Sequence, residues 1–117
     1  MNATEQAHCI FCRIVAGTIP STTVAANAQA IAFRDLHPQA PVHVLVVPRR
    51  HVTSLATADD APELGQLLSL AAEVARAEGI ADAGYRVVTN IGADGGQTVG
   101  HLHLHVLGGR AMGWPPG

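Results

Sequence analysis

Lysine is absent from this chain, and aromatic side chains are scarce, with only Phe11, Phe33, Tyr85 and Trp114 in 117 residues. All seven basic residues are arginine, scattered apart from the Arg49-Arg50 pair, and the formal net charge is −2. A surface that tracks phosphates needs clustered cations, so the chain has no electrostatic claim on nucleic acid or on an anionic membrane. The missing lysine also excludes the GxxxxGK[ST] phosphate loop. No run approaches the roughly 20 apolar residues of a membrane span, and no segment near the start has the basic-then-apolar pattern of a signal peptide. A cytoplasmic protein is therefore expected. Cysteine is confined to Cys9 and Cys12, three residues apart. In a reducing compartment that spacing suggests metal or redox chemistry before a structural disulfide.

What is present reads as one domain over residues 8–117, preceded by a flexible N-terminus at 1–7, with 48% hydrophobic and 14% charged residues. Ile10, Phe11, Ile14 and Val15 fall at helical spacing, and Gly17 and Pro20 close that short helix. Thr22–Ala26 and Ala30–Arg34 are β-prone runs around an Asn27 turn and predict a hairpin. Val42–Val47 is apolar on both faces except at His43, as in a central strand. Asp60-Ala61-Pro62-Glu63 has the form of a capping box ahead of one long helix at about 61–78. Tyr85–Ile91 predicts another strand, followed by the glycine-dense loop 92–96. The tail 108–117, ending Trp114-Pro115-Pro116-Gly117, should be extended and stiff. The order of elements predicts an α+β domain with a mostly antiparallel sheet.

The densest chemistry lies at His101–Leu107, HLHLHVL, where three of the seven histidines alternate with apolar residues. In a strand, alternate side chains share a face, so His101, His103 and His105 would form an imidazole row over an apolar underside. Such a row could be a solvated face, although Thr, Ser, Lys and Glu more often build one. Imidazole is nucleophile, proton carrier and metal ligand near neutral pH. The glycine-rich loop, Gln97 and Thr98 precede the row closely, and they offer backbone and neutral side-chain donors to a phosphoryl group. Held there, a phosphorus centre would be open to in-line attack by a neutral imidazole whose other nitrogen keeps its proton on an acceptor. His103, at the centre of the row, is the natural candidate. A metal held by all three histidines is poor on geometry, because alternate residues of a flat strand do not converge on one ion.

His101-Leu-His103-Leu-His105-Val-Leu resembles the motif of the histidine triad (HIT) superfamily. AFRDLHPQAPVHVLVVPRRH and DGGQTVGHLHLHVLGGR are similar to that family's two conserved halves, and the WPPG ending to its Hint branch of purine nucleoside phosphoramidases. The resemblance implies a five-stranded HIT-like fold with one long helix and a short N-terminal helix, paired as a two-fold homodimer whose tails reach the partner's site. It implies hydrolysis of nucleoside 5′-phosphoramidates, with His103 as nucleophile, His105 on the phosphate, and His43 and His101 supporting. Asp35 matches the acid that binds the ribose hydroxyls. Ile10, Phe11, Phe33 and Leu45 match the walls around the base, and Asn90, Gln97 and Thr98 match the phosphate contacts. No cofactor is implied for catalysis. Cys9 and Cys12, joined by His51 and His101, are similar to the ligands of a structural zinc site in bacterial members; two reduced buried cysteines are the plainer alternative. Thr98 and Gly100 depart from the Ser and the aromatic residue common there, a difference that bears on the leaving group. Dinucleoside polyphosphate hydrolysis, or a nucleotide-binding, zinc-bearing interaction module with incidental activity, are the alternative functions.

Overall fold

The computed structural model describes residues 7–117. The expectation for the N-terminus falls mostly outside these residues, and Ala7, its last member, is helical. The elements are α1 (Ile10–Val15), β1 (Thr23–Ala26), β2 (Ala30–Arg34), β3 (Val42–Pro48), a 3-10 turn (Leu55–Thr57), α2 (Ala61–Ala77), β4 (Tyr85–Val88) and β5 (Leu104–Gly108). The strands form one five-stranded, fully antiparallel sheet in the order β1-β2-β3-β5-β4. This is the α+β arrangement that the sequence predicts.

Alternation along the strands sorts the sheet into two faces. Ala30, Ala32, Val44, Val46, Leu104 and Val106 point one way and pack on Leu67, Leu70, Ala71 and Val74 of α2. Leu67 and Leu70 are fully buried there, each adding about 1.5–3 kcal/mol of apolar burial. The odd-numbered residues of β3 point the other way. There Leu45 and Val47 join Phe33 in a second cluster with Phe11 and Ile14 of α1. The register sets His43 opposite Leu107, Leu45 opposite His105 and Val88 opposite His105 on that same face.

Local chemistry explains the element ends. Asn27 Oδ1 accepts from the backbone N–H of Gln29 and Ala30 at 3.0 and 2.8 Å, which closes the β1–β2 hairpin. Gly17 takes φ +79, a left-handed conformation that ends α1. Only half of the expected capping box forms at α2. Asp60 Oδ1 accepts from the Glu63 N–H at 2.9 Å, but the Glu63 carboxylate turns to Arg50 instead, at 2.9 Å.

Two strand expectations need correction. β4 stops at Val88 rather than Ile91, and β5 starts at Leu104 rather than His101. The Leu102 N–H donates to the Val52 carbonyl at 2.6 Å, so the first residues of the histidine motif bond to another segment and not to the β4 ladder. The tail 109–117 has no regular secondary structure and bonds to its own sheet and to the loop before β3. Arg86 Nη2 donates to the Gly113 carbonyl at 2.7 Å and Arg110 Nη2 to the Gln39 carbonyl at 3.0 Å, while Trp114 remains 83% exposed.

Candidate functional site

His103 is buried at the entrance to β5, and its Nδ1 lies 2.7 Å from the carbonyl oxygen of His101. A carbonyl only accepts, so in the neutral ring Nδ1 carries the proton and Nε2 keeps its lone pair. That is the tautomer an in-line nucleophile needs. The carbonyl of His103 in turn accepts from Thr89 Oγ1 at 2.9 Å, which holds this backbone in place where the strand ladder has not yet begun. Phe11 packs edge-on against His103 with ring centroids 5.1 Å apart.

His43 and His105 are brought together by the β3–β5 register. The backbone N–H of Gln39 donates to His43 Nδ1 at 3.0 Å, so the neutral ring carries its proton on Nε2. That Nε2–H donates to His105 Nδ1 at 2.9 Å, which leaves His105 protonated on Nε2 and able to donate outward. Asp35 Oδ2 lies 3.5 Å from His43 Nε2, and Asp35 Oδ1 accepts from the His37 N–H at 2.7 Å. Burial lowers the pKa of His43, with the Asp35 charge opposing. Burial also holds His105 down to about 4, helped by His103 and His43 and opposed by Asp35. Both rings are therefore neutral at pH 7, as the hydrogen-bond directions require.

His101 faces away from this pair. Its Nε2 donates to the Pro48 carbonyl at 2.9 Å, so the lone pair is on Nδ1, which lies 3.3 Å from Cys9 Sγ and 3.5 Å from Cys12 Sγ. His51 Nδ1 lies 3.1 Å from Cys12 Sγ, and one donor atom from each of the four residues falls within 4.8 Å of all the others. With zinc bonds of about 2.3 Å to sulfur and 2.0–2.1 Å to nitrogen, a tetrahedral site has S···N edges of roughly 3.6 Å, so this cluster fits a closed structural ion. The carbonyl behind His101 is the outer partner a metal-bound imidazole needs. Burial, then Cys9, pushes the Cys12 thiol up to about 11, so binding a cation there would release protons. Asp35, His43 and His105 also approach within 4.8 Å of one another, but they fail the same test. Because Gln39 N–H occupies His43 Nδ1, the Nε2 facing the cluster holds a proton and not a lone pair.

Ile10, Phe11, Phe33, Leu45, Asp35 and Thr98 line one cavity of about 290 Å³, so the structure gathers the expected apolar walls, the acid and the hydroxyl. Asn90 lies elsewhere, in a cavity shared with His43 and His105. Gln97 ties its loop to the segment after β3: Nε2 donates to the carbonyls of Thr53 and Val99 at 2.8 and 3.0 Å, and Oε1 accepts from Gly92 N–H at 3.1 Å. The Gly92–Gly96 turn is tight at Gly95, where a Cβ would lie 2.2 Å from the Ile91 carbonyl oxygen. Gln39 and Pro48 leave no pattern in residue type because they act through their own backbone groups, and Thr89 leaves none because its hydroxyl makes one isolated bond to the His103 carbonyl.

Residues 16–112 match the HIT domain family. A 14 kDa zinc-binding protein of Zea mays is 49% identical over 112 residues, covering 92% of this chain and 87% of that protein. The crystal structure of a HIT family hydrolase from Legionella pneumophila Philadelphia 1 superposes with a TM-score of 0.91 at 46% identity, covering 94% of this chain and 100% of that one. A histidine triad nucleotide-binding protein from Candida albicans gives a TM-score of 0.80 at 32% identity, covering 92% and 82% of the two chains. The chain belongs to the HIT family.

Two expectations follow from the site. Protein purified without chelator should carry about one zinc per chain, and chelation or Cys12→Ser should lower the melting temperature while the folded protein's turnover is largely kept. Metal content near zero would refute the site. The second concerns pH. An unfolded His105 takes its proton near 6.5 but the folded one only near 4, so its contribution to stability is complete above pH 6.5 and declines as pH falls toward about 4. Site-resolved ¹⁵N NMR should find the His105 ring still neutral at about pH 6; titration at or above the ordinary value would contradict the burial argument.

Proposed function

We propose that this chain is a purine-nucleotide-binding hydrolase that cleaves nucleoside 5′-phosphoramidates through a covalent nucleotidyl-histidine on His103. The observation that carries the reading is the 2.7 Å contact of His103 Nδ1 with the His101 carbonyl, which in the neutral ring leaves Nε2 unprotonated. The nucleoside occupies the cavity against Phe11, Phe33 and Leu45, with its ribose hydroxyls on Asp35. His103 Nε2 forms a bond to phosphorus as the phosphorus–amine bond breaks, and the amine leaves with a proton from solvent. Water then displaces the imidazole and releases the nucleoside monophosphate. His105 donates its Nε2–H to a phosphoryl oxygen, and Thr98 adds a hydroxyl contact. Gln97 acts by holding the loop. Zinc, when bound, ties α1 to the segments carrying His51 and His101. The names of the Legionella hydrolase and the Candida nucleotide-binding protein support the general class.

The name of the maize relative and the metal cluster favour a second reading, a zinc-bearing nucleotide-binding module with incidental hydrolysis. Turnover decides between them. Mass spectrometry of a quenched reaction with an adenosine phosphoramidate should find the adduct on His103, and His103→Ala should abolish turnover while nucleotide binding persists. An adduct on His105, or a rate within about tenfold of wild type, would sink the nucleophile assignment.

The role of Asp35 is tested separately. Loss of the 2′-hydroxyl leaves a carboxylate short of a partner, a cost of about 1–3 kcal/mol. Wild type should therefore disfavour 2′-deoxy substrates and Asp35→Ala should not; equal ratios in both proteins reject the role. We also infer a two-fold homodimer built on α2 and β4. Leu68 and Val87 are 58% and 38% exposed there, and β4 is an open sheet edge. Light scattering at micromolar concentration should give twice the chain mass, and a monomer would defeat the inference.

A further inference from the structure

Across the site face the strands run β2, β3, β5, β4, and the nucleoside cavity lies at the β2 end, against Phe33 and Asp35. At the β4 end, beyond the His43–His105 pair, is a second cavity of about 420 Å³ whose wall includes His43, Asn90, His105, Arg86, Arg110 and Met112. Arginines that are scattered along the sequence thus meet beside the imidazole pair. Arg86 Nη2 donates to the Gly113 carbonyl at 2.7 Å, and Arg110 donates to the Gln39 and Ala111 carbonyls at 3.0 and 3.2 Å. Carbonyls orient a guanidinium without neutralising it. Among the described residues the arginines that pair with carboxylates are Arg34 and Arg50, not these two. A guanidinium has five N–H donors, so most of each fork is unspent. Asn90 adds a neutral amide to the same wall.

Resting on the phosphoramidate reading, we propose that this cavity seats the leaving group and selects leaving amines that carry an anion close to the scissile bond. A nucleoside at the β2 end and a phosphoryl group at His103 and His105 direct the departing group toward β4. The carboxylate of an amino acid joined through its α-nitrogen sits only two bonds beyond that nitrogen, and a planar guanidinium fork matches it. A second cation on the amine is repelled by both arginines. The terminal phosphates of a polyphosphate leaving group offer the same class of anion, so they are the other source to be tested.

The experiment compares adenosine 5′-phosphoramidates of alanine as the free acid and as the carboxamide, with diadenosine triphosphate as a third substrate. Wild type should favour the acid over the amide in kcat/KM by about tenfold. That ratio should fall toward unity in the Arg86→Met, Arg110→Met double variant, and Arg86→Lys should retain part of it. A charge-based preference should also shrink as NaCl is raised from about 0.05 to 0.5 M, so wild type alone decides the matter if the double variant does not fold. Equal wild-type rates on acid and amide, each with its His103 adduct, overturn carboxylate selection and leave phosphoramidate hydrolysis standing. If the double variant then loses only triphosphate cleavage, the anion recognised is phosphate. No adduct from either phosphoramidate overturns the hydrolase reading and this assignment together.

Discussion

A neutral imidazole has one proton to place on two nitrogens, and this site depends on backbone groups deciding where it goes. The carbonyl of His101 takes the Nδ1–H of His103, the carbonyl of Pro48 takes the Nε2–H of His101, and the N–H of Gln39 blocks Nδ1 of His43. One kind of side chain is thereby divided into a ring with an open Nε2, a metal-ready ligand and a donor to a second imidazole. Side-chain partners could make the same choices, but they titrate or rotate; peptide groups fixed by strands and turns do not. Burial adds to this by keeping the His43 and His105 rings neutral.

The metal-ready Cys/His cluster and the apolar cavity against Phe11 share parts. His101 gives its ring to the cluster and its carbonyl to His103. Phe11, between Cys9 and Cys12 on the chain, packs edge-on against both His101 and His103 and walls the cavity. The six-residue helix α1 therefore serves both sites, through Cys12 on one side and Phe11 on the other. This accounts for a helix too short to be stable alone, since it is held by its cap, its apolar packing and its place between two sets of ligands.

Much of this was legible in the sequence because it follows from residue pattern. A run apolar on both faces marks the central strand around His43, the apolar stripe marks α2, and the Asn27 turn marks the first hairpin. Strand ends were less legible at β4 and β5, where the bonds that replace the ladder run from Leu102 to Val52 and from Thr89 to His103. Neither is visible as a composition or a period. The capping box at Asp60 was half right because Arg50, remote in sequence, competes for Glu63. The own-chain anchors of the tail, an arginine on β4 and the Gln39 carbonyl, leave no mark in residue pattern either. The bonds of Gln97 to Thr53, Val99 and Gly92 are equally invisible as a residue pattern.

The order β1-β2-β3-β5-β4 places the most distant strand pairing at the centre of the sheet, and that pairing closes the hydrogen bond between His43 and His105, which are 62 residues apart in the chain. The first hairpin is local and forms without it. Joining β3 to β5 requires the intervening helix and turns to have been gathered in, so the loop-closure cost falls on this step. A shift of one residue there would turn His105 to the α2 face, bringing a buried Leu104 or Val106 to the site in its place. The imidazole pair therefore reports on whether β3 and β5 have joined in register.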